Sequence, residues 1–191
     1  MAGLTRRGGA LAAGCAALAL AACGAATQEW VKPGAARIVR LAVLPFDNQT
    51  ASLRAGGVAT ELIVSELLAT GLVPLVEPSE VADVLRRENL EPGEPGRLPP
   101  AQRVGRLLQA SHVMHGTVTE FRYKPGLSET PVVGLSARIV QVATGEVVWT
   151  ATLARSGSNW LAEDGLARLT QSIARDMAQH LTGALGGDRA R

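Results

Sequence analysis

Aromatic residues and cysteine are both scarce in this sequence. Phenylalanine, tyrosine and tryptophan make up only 3% of the 191 residues, so platforms on which nucleic-acid bases stack are not expected. The two cysteines, Cys15 and Cys23, both lie near the N-terminus. No disulfide can therefore stabilise the rest of the chain, and a hydrophobic core must hold the fold together.

The chain also lacks a large net charge of either sign. The chain has 19 basic and 17 acidic side chains. Arg6 and Arg7 are the only charged residues before Glu29, so without the first 22 residues the balance is 17 (19 − 2) to 17. A balanced chain lacks the basic surface that binds phosphates, and no nucleic-acid partner is expected.

The N-terminus has the pattern of an export signal. Arg6 and Arg7 precede an apolar run, 10–22, that ends in small residues. This arrangement is typical of a secretory signal peptide, and the run is shorter than the roughly 20 residues that a membrane-spanning helix needs. The last residues, Leu20-Ala21-Ala22-Cys23, resemble the lipobox of bacterial lipoproteins. The resemblance implies that residues 1–22 are removed and that the Cys23 thiol carries a lipid.

Two alternatives remain open at this N-terminus. An ordinary secretory signal can contain a cysteine by chance, although the box lies at the correct end of the apolar run. The Thr5-Arg6-Arg7 segment leaves open whether export uses the general or the twin-arginine route. Gly24 and Ala25 follow the cysteine. Aspartate at this place would resemble the signal that retains lipoproteins in the inner membrane, so its absence favours the outer membrane, with the protein on its periplasmic face.

The remaining 169 residues (191 − 22) suffice for one domain with its own core. We predict a flexible tether over 23–36 and a folded domain over 37–187. Strands are predicted at 38–46, 72–76, 112–122, 133–143 and 147–155. Helices are predicted from Val58 to a stop at Gly71, from a cap at Ser79, from Pro100, and over 162–185. This β-α-β-α-α-β-β-β-α order predicts an α/β fold with a mixed sheet of about five strands packed with helices.

Apolar residues at strand and helix spacing predict the core. On the last strand Trp149 and Leu153 share one face with Ala151, while Thr150 and Thr152 share the other. This alternation indicates that one face of the sheet is covered by other elements and the other is exposed to solvent. The residues expected inside are Val43, Leu62, Leu107, Val118, Ile139, Trp149 and Ile173.

Catalytic and metal-binding patterns are not found. His112 and His115 lie three residues apart on a predicted strand, so they point to opposite faces and cannot share a metal. His180 has no second ligand at helical spacing. Gly56-Gly57 lacks the lysine of a phosphate-binding loop and reads as a plain helix entry. We expect no enzyme, with no catalytic residues, no cofactor and no metal.

Six segments together resemble the CsgG-like family of bacterial outer-membrane lipoproteins, which is named for the curli secretion channel. The fold also looks similar to that of LpoB-type activators of penicillin-binding proteins. The resemblance implies an α/β sandwich, a periplasmic location and no catalysis. The segments are Leu41–Thr50, Gly57–Leu62, Val81–Leu85, Val104–Ala110, Gly116–Phe121 and Val142–Trp149.

The chain departs from the curli channel where that protein inserts long membrane hairpins. A membrane-crossing strand needs about 9–11 residues, and the corresponding segments here, 122–133 and 154–162, are too short for two of them. We therefore interpret the chain as a lipid-anchored periplasmic binding domain of the CsgG-like type that acts in envelope assembly or regulation, without its own membrane pore. Its partners are the membrane, through lipid on Cys23, and an envelope protein. The alternative is an oligomeric component of a curli-like secretion channel, and homo-oligomerisation stays open.

Overall fold

The structure, a computed structural model, describes residues 26–35, 37–71, 74–90, 100–126, 129–157 and 165–186. These residues form six strands and four helices. In chain order the elements are β1 (Ala26–Val31), β2 (Leu41–Val43), β3 (Asp47–Asn48), α1 (Ala55–Thr70), α2 (Pro78–Arg87), α3 (Pro100–Leu107), β4 (His112–Lys124), β5 (Thr130–Gln141), β6 (Val147–Ser156) and α4 (Leu166–Gly186).

All six strands belong to one mixed sheet. The strand order is β1-β6-β5-β4-β2, and β3 pairs with β4 further along the same edge as β2. β2 and β3 run parallel to β4, whereas the other neighbouring pairs are antiparallel. The predicted α/β class with a mixed sheet and packed helices is confirmed, with one strand more than expected.

One face of the sheet is covered by α1 and α4. Trp149, Leu153 and Ile139 point to this face and are at most 1% exposed. They pack against apolar residues of both helices, among them Ile63 and Ile173. α4 has its buried side chains at helical spacing, so one stripe of the helix meets the sheet. We call this the covered face. The buried residues of α4 are Leu169, Thr170, Ile173, Ala174, Met177, Ala178 and Leu181.

The opposite face is covered at one end only. α2 and α3 form a second apolar cluster with β2 and the start of β4, which includes Leu44, Val84, Val104, Leu108 and Val113. Further along β5, β6 and β1, the described residues that point to this face are mostly polar and exposed or half-buried. We call that part of the sheet the open face.

β1 replaces much of the predicted tether. Residues 26–31 lie in the stretch 23–36 that we expected to be flexible, but they pair with β6 in register from Ala26 with Ala154 to Val31 with Trp149. The segment contains only two large apolar residues, Trp30 and Val31, so its composition gave little sign of a strand. The pairing with β6 supplies the hydrogen bonds that fix it.

Other boundaries also differ from the expectation. The predicted strand 38–46 is shortened to β2, and β3, which begins at Asp47 after Pro45, lies beyond its predicted end. In the predicted strand 72–76, Leu75 makes a single parallel bridge to Leu41 among the described residues. α2 begins at Pro78 and not after a Ser79 cap. The predicted starts and stops at Gly71, which has a φ of 58°, and at Pro100 are confirmed.

Five of the seven predicted core residues are buried. Val43, Val118, Ile139, Trp149 and Ile173 are at most 5% exposed. The other two differ. Leu62 is half-buried against the core of the covered face. Leu107 was predicted wrongly: its side chain is 49% exposed, and the next residue, Leu108, is buried in its place. Among the described residues, no helix is long and apolar enough to cross a bilayer.

Candidate interaction surface

Glu29 fastens β1 to the covered face. Trp149 on β6 donates a hydrogen bond from Nε1 to Glu29 Oε1 over 2.8 Å. The other carboxylate oxygen, Oε2, lies 3.2 Å from His180 Nδ1 on α4. One carboxylate thus contacts both the neighbouring strand and the last helix. The bond also satisfies the indole N–H of a tryptophan that is only 1% exposed, which would otherwise be buried without a partner.

The open face carries a row of side chains across four strands. The register aligns Trp30 of β1 with Thr150 of β6, Thr150 with Arg138 of β5, and Arg138 with His115 of β4. Trp30 is 48% exposed, and Arg138 is exposed as well. An exposed indole and an exposed guanidinium on the same surface, here with Thr150 between them, are residue types that protein interfaces favour.

His115 sits at the inner end of this row. It is 3% exposed, and its Nε2 atom has no hydrogen-bond partner among the described residues. Burial, together with the nearby positive charge of Arg138, lowers the pKa of His115 to about 4. The imidazole is therefore neutral at physiological pH, so it adds no charge to the open face.

The outer edge of β1 is a second element of the surface. In the part of the chain that the structure describes, β1 pairs only with β6 and ends the sheet. Lys32 N–H donates to Val148 O, so in an antiparallel ladder the alternate residues Trp30 and Gln28 also bond to β6. The backbone groups of Thr27, Glu29 and Val31 then point away from β6. Such an edge can pair with a further strand.

A small open cleft lies at the other end of the sheet. Its volume is about 380 Å³, and Arg37, Arg106, Ser111, His112 and Gln141 are among the residues that line it. His112 is 1% exposed, and burial lowers its pKa. A neutral imidazole beside a serine invites comparison with a nucleophile and its base.

The hydrogen bonds of Ser111 argue against that chemistry. Its Oγ donates to Arg40 O and accepts from the N–H groups of Val39 and Arg40, each over 3.0 Å. A hydroxyl has one donor and two acceptor positions, so these three bonds saturate it. Oγ also lies 3.0 Å from His112 Nδ1, but its donor and acceptor positions are already used in bonds to the backbone. The role of Ser111 is therefore structural. Ser111 holds the chain before β2 against the start of β4.

His112, His115 and Gly56, which the sequence analysis considered as possible site residues, occupy positions where their role is structural. His112 shares a face of β4 with Met114 of the covered face, and His115 shares the other face with Val113, so the predicted separation of the two histidines is confirmed. Among the described residues, no group of His, Cys, Asp or Glu could hold a metal. A Cβ on Gly56 would lie 2.5 Å from Phe46 O. This glycine therefore lets α1 approach the chain after β2, as a plain helix entry requires.

The predicted lipid-carrying residue, Cys23, lies outside the described residues. The sequence interpretation missed Glu29 and Trp30, because it placed both in a tether. The signal that was available is the pair Trp30-Val31, since tryptophan and valine are both enriched in strands.

Comparisons with known proteins identify relatives of the fold. No family model matches the sequence, and no curated protein matches it. Among solved structures, the PelC dodecamer from Paraburkholderia phytofirmans is 26% identical, with a TM-score of 0.58. The match covers 84% of this chain and 96% of that one. Lipoprotein GNA1162 from Neisseria meningitidis is 17% identical, with a TM-score of 0.58, and the match covers 74% of this chain and 99% of that one.

A third similar structure is the C-terminal domain of LpoB from Escherichia coli. It is 20% identical, the match covers 64% of this chain and 86% of that one, and its TM-score is 0.48. That score is too low to support a conclusion. The matches to PelC and GNA1162 show that the chain has a fold found in a bacterial lipoprotein and in a protein that forms a dodecamer. The resemblance to the CsgG-like family stays a prediction.

Proposed function

We propose that this protein is a lipid-anchored domain on the periplasmic face of the outer membrane that assembles with copies of itself and serves as an envelope scaffold. The observation that carries the proposal is the outer edge of β1, which pairs with no further strand among the described residues and lies beside the exposed Trp30. An edge of this kind adds a strand from another chain through main-chain hydrogen bonds, and neighbouring side chains give the contact its specificity.

The likeness to PelC supports self-assembly. That protein forms a dodecamer, and nearly its whole length aligns with this chain. β1 lies at one side of the sheet, and β2 and β3 lie at the other. A contact between two different surfaces of successive copies generates a ring when the rotation closes.

The anchor is supported by the sequence before β1. Leu20-Ala21-Ala22-Cys23 has the pattern of a lipobox, and GNA1162, which shares the fold, is a lipoprotein. Two or three acyl chains on Cys23 would hold the domain at the membrane, since a single chain binds only reversibly. Gly24 and Ala25 favour the outer membrane as the destination.

The proposed scaffold performs no catalysis and forms no pore of its own. The saturated hydroxyl of Ser111 supports the first statement. The second is supported by the end of the β4–β5 hairpin, where Arg122 and Lys124 are exposed. Charged side chains at such positions are costly in the lipid core of a membrane.

Docking of an envelope protein is a second candidate role. The row that joins Trp30, Thr150 and Arg138 offers an exposed aromatic and a cation on a rigid sheet. This role does not require self-assembly, so the number of chains in the particle separates the two proposals.

The test compares two substitutions at one position on β1. Thr27→Pro removes a backbone N–H that points away from β6, so it blocks strand addition and leaves the β1–β6 bonds intact. Thr27→Ala keeps the N–H and is the matched control. Native mass spectrometry of the detergent-purified lipoprotein should show an oligomer for the wild type and for Thr27→Ala, and single chains for Thr27→Pro. A wild type that is a single chain at every concentration would overturn self-assembly and favour docking alone.

A further inference from the structure

We propose that one end of the sheet rests on the membrane surface and that Leu53 and Tyr123 contact the lipid headgroup region there. This inference depends on the lipid anchor of the proposed function. It concerns the end at which β1 begins, which we call the Ala26 end. The bound occupant is the bilayer that carries the anchor.

The length of chain between the anchor and β1 is the first argument. Only Gly24 and Ala25 separate Cys23 from Ala26, where β1 begins. Three residue steps span at most about 11 Å. β1 itself covers six residues, which is about 17 Å from Ala26 to Val31. The linker therefore holds the Ala26 end within about 11 Å of the lipid, whereas the opposite end is free to lie further away, so the Ala26 end is the one that faces the membrane.

The length of the β4–β5 hairpin is the second argument. The register connects Ala26 with Ala154, Ala154 with Gly134, and Gly134 with Glu120. β4 continues for four residues beyond Glu120, to Lys124, which is about 13 Å along the strand. This projection is as long as the linker to Cys23. The hairpin therefore reaches the surface to which the lipid holds the protein.

The exposed side chains at this end suit a lipid surface. Tyr123 is 43% exposed near the end of β4, and Leu53 is 97% exposed in the loop between β3 and α1. β3 runs parallel to β4, so this loop lies at the same end of the sheet as the hairpin. Tyrosine is enriched at membrane interfaces, and the exposed Lys124 beside it can approach anionic headgroups.

A matched leucine at the other end of the sheet provides the control. Leu107 is 49% exposed at the end of α3, close to the start of β4. Exposed apolar surface is therefore present at both ends. The position of the anchor, and not hydrophobicity alone, decides which end meets the membrane.

The experiment uses single cysteines in the full-length lipoprotein. Leu53→Cys, Tyr123→Cys and Leu107→Cys are labelled with an environment-sensitive dye and reconstituted into vesicles of phosphatidylethanolamine and phosphatidylglycerol. A quencher attached to lipid headgroups should reduce the fluorescence at positions 53 and 123 several-fold more than at position 107. Equal quenching at all three positions, no quenching at any of them, or stronger quenching at position 107 would overturn the proposed orientation.

The unsubstituted protein separates this inference from the proposed anchor. Cys23 is its only cysteine once the signal has been removed, and a lipidated Cys23 cannot react with the dye. A wild type that takes up the label would contradict the anchor, and the orientation with it. A wild type that stays unlabelled while the three sites are quenched equally would contradict the orientation alone.

Discussion

The two faces of the sheet differ in what their side chains do. On the covered face, Trp149, Ala151 and Leu153 of β6 are buried under α1 and α4. On the open face of the same strand, Thr152 is exposed and Thr150 is half-buried. Alternate residues of β6 thus belong to the hydrophobic core, and the residues between them lie on the opposite, more exposed face of the sheet. The residues that stabilise this domain are therefore a separate set from those that we propose contact a partner.

The largest expected effect is at the centre of the covered face. Trp149→Ala should lower the free energy of unfolding by about 3–5 kcal/mol, because it leaves a cavity where a buried indole packs. Thr152→Ala, three residues further along β6 and on the open face, should change it by about 0.5 kcal/mol or less. Urea unfolding followed by circular dichroism measures both. Similar losses for the two variants would contradict the division between the faces.

A second pair of substitutions tests the cluster beneath α3. Leu108 is fully buried, whereas Leu107 is 49% exposed. Leu108→Ala should cost about 2–5 kcal/mol, and Leu107→Ala should stay near the value for a surface substitution, about 0.5 kcal/mol. The midpoints of urea unfolding compare the two. A larger loss for Leu107→Ala would mean that α3 is rotated from the arrangement described above.

A smaller effect is expected where β1 joins the covered face. Glu29→Ala leaves the buried Trp149 Nε1–H without its acceptor, at a cost of about 1–3 kcal/mol. Glu29→Gln keeps a carbonyl oxygen for that bond and should lose less. Thermal unfolding of both variants provides the measurement. If Glu29→Ala unfolds at the temperature of the wild type, β1 is not held by this contact.

A further effect is a pH dependence from the open face. The pKa of His115 is about 4 in the folded protein, below the ordinary value of about 6.5 that it has when unfolded. Between these values the unfolded chain binds more protons, so stability falls as the pH drops from about 6.5 to 4 and is unaffected by this residue above that range. The buried His112, whose pKa is also lowered, acts in the same direction.

His115→Gln isolates the contribution of His115. The variant should lose less stability than the wild type when thermal unfolding at pH 7 is compared with thermal unfolding at pH 4.5. The variant retains His112, so part of the pH dependence should remain. An unchanged pH dependence in His115→Gln would indicate that this side chain is not buried as a neutral group.

The sequence predicted most of the fold because its strongest patterns are local. β4, β5, β6 and α4 each have apolar residues at regular spacing, and the Gly145 turn joins β5 to β6 at a φ of 78°. β1 could not be predicted in the same way, since its partner is β6, more than 100 residues away, and its polar residues, Thr27, Gln28 and Glu29, follow one another without the alternation typical of a strand. The error at Leu107 has another origin: Leu107 and Leu108 both follow Val104 at helical spacing, so the sequence does not decide between them.

The candidate surface was less predictable than the fold. Trp30 and Glu29 acquire their roles only when β1 pairs with β6. A fully extended tether after Cys23 up to residue 36 would allow the domain to stand up to about 45 Å from the membrane. With β1 in the sheet, the linker spans about 11 Å. With the lipid anchor that we propose, the change in this one segment therefore places the domain at the membrane surface.

The most direct test of the lipid-anchored scaffold is mass spectrometry of the N-terminal peptide of the protein purified from membranes. The account predicts a peptide that begins at Cys23 and carries two or three acyl chains, and a Cys23→Ser variant that is released from the membrane or remains uncleaved. An unmodified N-terminus at any other residue, with the protein still bound to the membrane, would contradict the account.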